Sequence, residues 1–214
     1  MLKKYLKYLL IIPVITTVLL FGCSTKIYNM ASSRLAEDRQ NLYIASSDTL
    51  EVTLMSGTRE EDYILNGYCT NSVDFGVVTF KVKDEKNVLT SPQFVLTVGT
   101  KRYEGNLEKS PFDNSYVADV NTKIITKGNV IAKIVAGEYV EELELTDITT
   151  NWKINNKAAL KTACKALEKE LENFIENDEF AGEVYVKIIN DKEVSGSSYY
   201  WYVNFINRTG KNVA

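Results

Sequence analysis

Histidine is absent from the 214 residues of this chain, and no other absence removes more chemistry. Without an imidazole, Ser-His-Asp and Cys-His catalysis lose their general base, and the common zinc sites lose a principal ligand. The phosphate-binding loop, the nucleophile elbow, the zinc-protease helix and the dinucleotide fingerprint are missing too. Carboxylate chemistry, a serine–lysine pair or no chemistry remain open, and we expect no metal, no cofactor and a protein that is not an enzyme.

Cysteine is scarce. Only Cys23, Cys69 and Cys164 occur, and no two of them have the C-x-x-C spacing of a redox motif or a thiolate metal site. Cys164 lies on an apolar helical stripe, and Cys69 faces Ile64 across a predicted hairpin, so both are interpreted as small core residues. A disulfide between Cys69 and Cys164 is the alternative, and an exported protein would permit it.

Long apolar runs are absent except at the N-terminus. Lys3, Lys4 and Lys7 form a basic head, and residues 9–21 follow as a run of 13 residues without a charge. A membrane span needs about 20 apolar residues, and this run is shorter and contains Pro13. The order of basic head and short apolar run predicts a secretory signal, with an uncleaved membrane helix as the alternative.

The end of the run specifies the kind of signal. Leu20, Phe21, Gly22 and Cys23 follow one another. This stretch resembles the lipobox of bacterial lipoproteins, although Phe21 is bulkier than the small residue usual there. The resemblance implies that residues 1–22 are removed, that Cys23 is acylated, and that acyl chains hold the protein on the outer face of the cytoplasmic membrane, or on an outer membrane if the host has one. Soluble secretion remains the alternative.

Positive charge is in deficit. The net charge is −3, and loss of a signal with three lysines and no acid would change it to −6. A surface of that sign repels phosphate backbones, so nucleic-acid binding is not expected, and membrane contact is assigned to the lipid anchor. The acids could include a catalytic pair across a cleft, but most are interpreted as solvated side chains. The most notable are Glu60, Glu61, Asp62, Asp113, Asp119, Glu138, Glu141, Glu142, Glu144 and Asp147.

Hydropathy patterning divides the mature chain into three parts. Residues 23–47 are polar and are predicted to form a spacer with a weak helix near 33–42. Residues 48–150 alternate apolar and polar side chains, which predicts half-buried strands, and Asn66-Gly67 and Gly128-Asn129 predict tight hairpin turns. The fold class is therefore mainly β: an antiparallel, immunoglobulin-like β-sandwich. Strands are predicted at 50–54, 78–82, 94–98, 116–120, 130–134 and 140–145.

The last part, residues 151–214, has a different period. Apolar residues spaced by three and four predict an amphipathic helix at 157–176, and two strands follow at 183–189 and 198–206. We expect this helix-plus-hairpin unit to pack on the sandwich, because about 64 residues bury little surface alone. On the second strand, Trp201 and Phe205 are assigned to the helix side, and Tyr200 and Tyr202 to the opposite side.

Tyr200 and Tyr202 are candidate contacts for a sugar or protein partner, or they are covered by the sandwich. The sequence favours a non-enzymatic binding or structural module for an envelope protein or polymer, with unknown oligomeric state. The alternatives are a carboxylate-dependent envelope hydrolase and a small solute-binding lipoprotein.

Overall fold

The protein was analysed as a computed structural model that describes residues 25–62, 66–84, 86–126, 128–190 and 198–214. These residues form two units. The first contains residues 25–36 and 66–70 and the described residues from 156 to 214, and the second contains the rest. The sequence predicts a division after residue 150. Two earlier stretches, 25–36 and 66–70, instead group with the C-terminal part.

The second unit is built from antiparallel strands in the order β5-β4-β8-β9-β1-β2-β3-β7-β6. The two ends of this order, β5 and β6, are separated along the chain by Leu107 alone, so the sheet nearly closes on itself. The strands are β1 (Leu35–Ser46), β2 (Leu50–Glu60), β3 (Ser72–Val82), β4 (Gln93–Val98), β5 (Lys101–Asn106), β6 (Glu108–Lys109), β7 (Ser115–Val120), β8 (Val130–Ala136) and β9 (Tyr139–Asp147).

The core of the second unit lies inside this sheet, where the alternating apolar residues meet. Val52 lies opposite Phe80 and Leu54 lies opposite Val78, and all four side chains are fully buried. Because successive strand residues point to opposite faces, the period of two was a reliable signal. The six strands predicted from alternation are present, whereas residues 68–70 and 124–126, also expected to form hairpin arms, are not strands. The mainly antiparallel β class is confirmed.

The predicted spacer needs correction. Residues 25–32 are helical, with Ile27 and Ala31 buried, and Leu35–Ser46 is a strand of 12 residues. The strand was missed because it contains a polar stretch, residues 37–41, with no alternation. Side chains within that stretch form hydrogen bonds with one another: Arg39 Nε donates to Glu37 at 2.5 Å, and Gln40 Nε2 donates to Asp38 at 2.9 Å.

Neither predicted hairpin turn joins two strands within the described residues. Gly67 has a positive φ of 79°, as the turn chemistry requires, but residues 68–70 are not a strand, and residues 63–65 lie outside the described part of the chain. Strand β8 follows Gly128-Asn129 as predicted, whereas residues 123–126 are irregular and Lys127 lies outside the described residues. Gly67 has one of the two positive φ values that the predicted type I′ turn requires, and this conformation does not supply a partner strand.

The first unit packs helices on one face of a hairpin. The predicted helix is present as two α-helices and a short 3-10 turn, and the predicted hairpin is β12–β13. Within the described residues, no helix is long and apolar enough to cross a membrane. The elements are α1 (described at 25–32), α2 (Asn156–Ala166), α3 (Glu168–Leu171), the 3-10 turn Glu172–Phe174, β10 (Ile175–Glu176), β11 (Glu179–Phe180), β12 (Gly182–Asn190), β13 (Tyr199–Asn207) and β14 (Asn212–Val213).

The apolar stripe of these helices covers the face of the hairpin that the sequence assigned to it. Leu160, Cys164 and Leu171 cluster with Val184 and Phe205, and all five are buried. The rings of Phe174 and Phe180 stack with their centroids 5.5 Å apart.

An additional small hairpin, β10–β11, turns through Asn177 and Asp178, which both have positive φ. Asn and Asp tolerate that conformation better than most residues.

Candidate functional site

The anchor prediction lies outside the described residues. Cys23 and the rest of residues 1–24 precede the first described residue, Thr25. Acylation of Cys23 therefore stays a prediction.

The other two thiols are not joined in the described part of the chain. Cys164 is fully buried, and burial raises the pKa of its thiol to about 12, so it is a core residue without reactivity near neutral pH. Cys69 is half-buried, and its thiol donates a hydrogen bond to the carbonyl of Leu35 at 3.4 Å. The core interpretation holds fully for Cys164 and partly for Cys69.

Tyr200 and Tyr202 lie on β13 and are half-buried. Tyr202 pairs across the hairpin with Lys187, and Tyr200 pairs with Ile189. On the opposite face, Phe205 is fully buried, as the alternation predicts. The partial burial leaves part of Tyr200 and Tyr202 accessible to a ligand, and their role as partner contacts stays a prediction.

A buried carboxylate stabilises the segment that carries Gly67. Glu183 is fully buried, and its Oε1 accepts a hydrogen bond from the Gly67 backbone N–H at 2.9 Å. A side chain at position 67 would not fit, since a Cβ there would lie 2.6 Å from the backbone of Asn207 and Arg208. Glu183 Oε2 has no hydrogen-bond partner among the described residues. The Glu183 carboxylate therefore stabilises the backbone at Gly67. The alternation of apolar and polar residues did not predict that this carboxylate is buried.

A second carboxylate, Glu141, anchors the turn between β1 and β2. It accepts hydrogen bonds from Ser47, from Thr49 at 2.7 Å and from Tyr139 at 2.5 Å. Burial acts to raise the pKa of Glu141, but these hydrogen bonds and the charge of Lys83 outweigh it and lower the pKa. A carboxylic acid with a lowered pKa is a poor proton donor at neutral pH, so Glu141 is a structural group rather than a catalytic acid.

The most unusual surface feature is the loop at residues 110–114. Its Phe112 side chain is 94% exposed, the largest value among the exposed large hydrophobic residues. Solitary exposed apolar residues are common, but one almost fully exposed phenylalanine on an ordered loop resembles the aromatic anchors of binding sites. Phe112 is not among the candidate residues predicted from the sequence, although an aromatic residue after Pro111 in a polar turn is a visible signal.

Hydrogen bonds hold both ends of this loop. Ser110 N–H donates to the Ser115 carbonyl at 2.8 Å, and the Asp113 carboxylate accepts from the Ser115 backbone at 3.2 Å. The Asn114 amide donates to the carbonyls of Val82 at 3.3 Å and Asp84 at 3.1 Å. The Ser115 hydroxyl, with help from neighbouring groups, lowers the pKa of Asp113 and keeps it ionised. The backbone that presents Phe112 is therefore fixed before any partner arrives, which reduces the entropy cost of binding.

Two clefts flank Phe112, both within the second unit. The larger, here named the Phe112 cleft, has a volume of about 500 Å³ and lies between β5 and the β6–β7 segment. It is lined by Phe94, Glu104, Gly105, Asn106, Glu108, Lys109, Ser110, Pro111, Phe112, Val117, Ala118 and Asp119. The smaller, of about 390 Å³, is here named the lysine recess, and its lining includes Lys81, Lys83 and Lys109.

The two clefts differ in charge. Glu104, Glu108 and Asp119 give the Phe112 cleft three carboxylates against the single ammonium of Lys109. Two of these acids have cationic neighbours, since Arg102 Nε lies 3.0 Å from Glu104 and an Arg59 nitrogen lies 3.6 Å from Asp119. Counted with Lys109, these two arginines balance the three carboxylates, so the Phe112 cleft combines an aromatic rim with a polar lining of paired charges.

Among the described residues, no group of three or more Cys, Asp or Glu side chains is placed so that it could hold a metal ion. Comparison with known proteins gave no match to a family model, to a curated protein or to a solved structure.

Proposed function

We propose that this protein is a lipid-anchored, extracytoplasmic binding module that recognises an envelope protein or polymer through the surface around Phe112. The lipobox-like sequence Leu20-Phe21-Gly22-Cys23 supports the lipid-anchored, extracytoplasmic location. The observation that carries the binding role is the exposure of Phe112 on a hydrogen-bonded loop between two clefts. Exposed aromatic anchors beside pockets contribute a large share of binding energy at protein interfaces.

The anchor is tested by substituting its cysteine. In Cys23→Ser no thioether can form, so the protein is expected to leave the membrane fraction when cells are fractionated and blotted. Cys69→Ser is the matched control, since it removes a half-buried thiol and keeps the anchor, and it is expected to stay in the membrane. A Cys23→Ser protein that is still processed and membrane-bound contradicts the lipid anchor.

The binding role is tested by photocrosslinking on intact cells. A benzophenone amino acid in place of Phe112 is expected to give one dominant adduct, identified by mass spectrometry. The same residue in place of Ile125, which is 60% exposed and lies outside both cleft linings, serves as the control and is expected to give no such adduct. Equal adducts from both positions, or none from position 112, contradict the proposal.

One observation favours an alternative, a carboxylate-dependent hydrolase: three acids line the same cleft. Glycosidases place two carboxyl groups about 5–10 Å apart across the bond they cleave. Turnover of cell-wall fragments by the full-length protein, lost in Glu108→Gln and retained in the control Glu144→Gln on the exposed side of β9, would replace the binding role with catalysis.

A further inference from the structure

The folded body of the first unit begins close to the proposed acylation site. Helix α1 is described from Thr25, and its residues Ile27 and Ala31 are buried in the core of that unit. Cys23 precedes Ile27 by four residues. Consecutive Cα atoms are about 3.8 Å apart, so this stretch reaches at most about 15 Å when fully extended. A lipid anchor on Cys23 would therefore hold the first unit against the membrane without a spacer.

The β10–β11 hairpin shares this location because it lies along α1. Lys26 Nζ lies 2.9 Å from the carboxylate of Asp178, and a guanidinium nitrogen of Arg34, just after the helix, lies 2.8 Å from Glu179. Exposed ion pairs contribute little to stability, so burial of the apolar side of α1 supplies most of the attachment. The ion pairs instead show which part of the hairpin is near the anchor: its turn lies beside the start of α1.

The acidic side chains of this hairpin are all paired with cations. Glu176, Asp178 and Glu179 are the three acids between residues 175 and 180. The last two have the partners just named, and a guanidinium nitrogen of Arg208 lies 3.7 Å from Glu176. The mature chain is expected to carry a net charge of −6, which anionic lipids repel. A region with paired charges is a face that such a chain can bring against lipid head groups.

We propose that one face of the first unit docks on the lipid head groups of the membrane that holds the anchor. This face, here named the anchor face, is formed by exposed residues at the start of α1 and in the hairpin turn: Thr25, Lys26, Asn29, Asn177 and Asp178. The inference rests on the proposed lipid anchor and adds the surface that meets the membrane.

The side chains of the anchor face set the kind of contact. Lys26 and Asp178 are 61% and 88% exposed, and none of the five residues is large and apolar. The face therefore makes polar contacts with head groups and does not insert into the hydrocarbon. Docking depends on the tether, which keeps the lipid surface at a high effective concentration.

The test measures how close the hairpin turn comes to the lipid head groups. The lipidated full-length protein is reconstituted in vesicles of phosphatidylethanolamine and phosphatidylglycerol. A fluorophore is attached to Asn177→Cys in a Cys69→Ser background, because the buried Cys164 thiol does not compete for the label. A lipid with a nitroxide on its head group is expected to lower the emission by about twofold or more. Circular dichroism checks that the labelled protein is folded.

A spacer insertion is the matched control. About twelve glycine and serine residues inserted between Ser24 and Thr25 keep the anchor but allow the body to lie about 20 Å farther away. Most of the quenching is expected to be lost in this variant. The same label on the Cys23→Ser protein is expected to show no quenching, because the anchor face has no affinity for lipid without the tether.

Three outcomes overturn the inference: no quenching in the lipidated protein, full quenching after the spacer insertion, or quenching of the Cys23→Ser protein. Failure of the proposed anchor gives a different result. A protein without an anchor does not sediment with the vesicles, and both proposals are then wrong. A protein that sediments without quenching at position 177 keeps its anchor, and only the docking of the anchor face is wrong.

Discussion

The two units of this chain bury apolar surface in different ways. In the second unit, alternating side chains from eight of the nine strands fill the inside of a nearly closed sheet. In the first unit, helices cover one face of the β12–β13 hairpin, and a smaller group around Tyr185 and Ile206 occupies the other face. The sheet distributes its core over many strands, whereas the helix-plus-hairpin unit depends on a few helix contacts.

The surfaces differ as well. The second unit exposes Phe112 on a loop with a fixed backbone, beside two clefts. In the first unit, Tyr185 is buried and Tyr200 and Tyr202 are half-buried on their hairpin. The sequence made Tyr200 and Tyr202 candidates because they lie in a dense run of aromatic residues. The isolated phenylalanine is the more accessible anchor.

The largest expected effect compares the two cores. Phe80→Ala in the second unit and Phe205→Ala in the first each remove a fully buried ring, so each is expected to lower the free energy of unfolding by about 3–5 kcal/mol. Phe80→Ala should lie at the upper end, because a nearly closed sheet collapses less readily into a cavity than movable helices do. Denaturant unfolding, with hydrogen exchange read in each unit, measures both losses.

Phe112→Ala is the control for both core variants. It removes the same ring from an exposed site, so a change within about 0.5 kcal/mol is expected. A larger loss for Phe205→Ala than for Phe80→Ala would reverse the comparison between the cores.

The next effect concerns close backbone approaches in each unit. A Cβ at Gly57 would lie 2.0 Å from the Asp38 carbonyl oxygen, and one at Gly182 would lie 2.5 Å from the Ile206 oxygen. Both Gly→Ala variants are expected to lose about 1–3 kcal/mol, with Gly57→Ala the worse, because a backbone oxygen cannot move without its strand. Gly76→Ala is the control, since its nearest atom would be 3.1 Å away. Equal thermal stability of all three variants would contradict this reading.

A smaller effect is the contribution of a carboxylate in each unit to stability at low pH. The pKa of Glu141 is lowered in the folded state, so its stabilisation is present above its unfolded pKa of about 4.3 and is lost as the pH falls through the folded value. Glu141→Gln is expected to flatten the loss of stability as the pH falls below the unfolded pKa, by about 0.5–1 kcal/mol after allowance for solvent.

Asp178→Asn is the matched control in the first unit. The hydrogen bond from Lys26 and its charge lower the pKa of Asp178, but this carboxylate is fully exposed and contributes less. Unfolding curves recorded at several pH values measure both variants. An acid profile that Glu141→Gln leaves unchanged, or that Asp178→Asn flattens more, would contradict the comparison.

The last prediction has no effect on stability and tests burial in the first unit. With a pKa of about 12, the Cys164 thiol at pH 8 should react with iodoacetamide about a thousandfold more slowly than an ordinary thiol. Cys69, which is half-buried, is expected to react first. Mass spectrometry of timed samples identifies each modified site, and equal rates at the two thiols would contradict the assignment of Cys164 to the core.

Much of the fold was readable because its signals are local. The alternation around Phe80 and the three-and-four spacing around Cys164 each predict both an element and its buried side. Strand β1 was missed because its polar stretch has no alternation, and Glu37 and Asp38 are buried although both are charged residue types. Strand β5 was missed because five of its six residues are exposed, as an edge strand permits.

The candidate site was harder to predict. The run at Tyr200 and Tyr202 gives a strong compositional signal, yet its exposure depends on what covers the hairpin. Phe112 is one residue in a polar turn. Its importance depends on the hydrogen bonds that hold residues 110–114 and on the neighbouring clefts, which involve residues as distant in sequence as Lys81 and Asp119.

By itself, the sequence determined the β-rich class, the C-terminal helix and hairpin, the core position of Cys164 and the absence of imidazole chemistry, because each depends on residue type or on a short repeat. Only the tertiary structure decided the strand order, the two clefts, the burial of Glu183 and the exposure of Phe112. These depend on which distant segments meet, and no local pattern of side chains encodes that pairing.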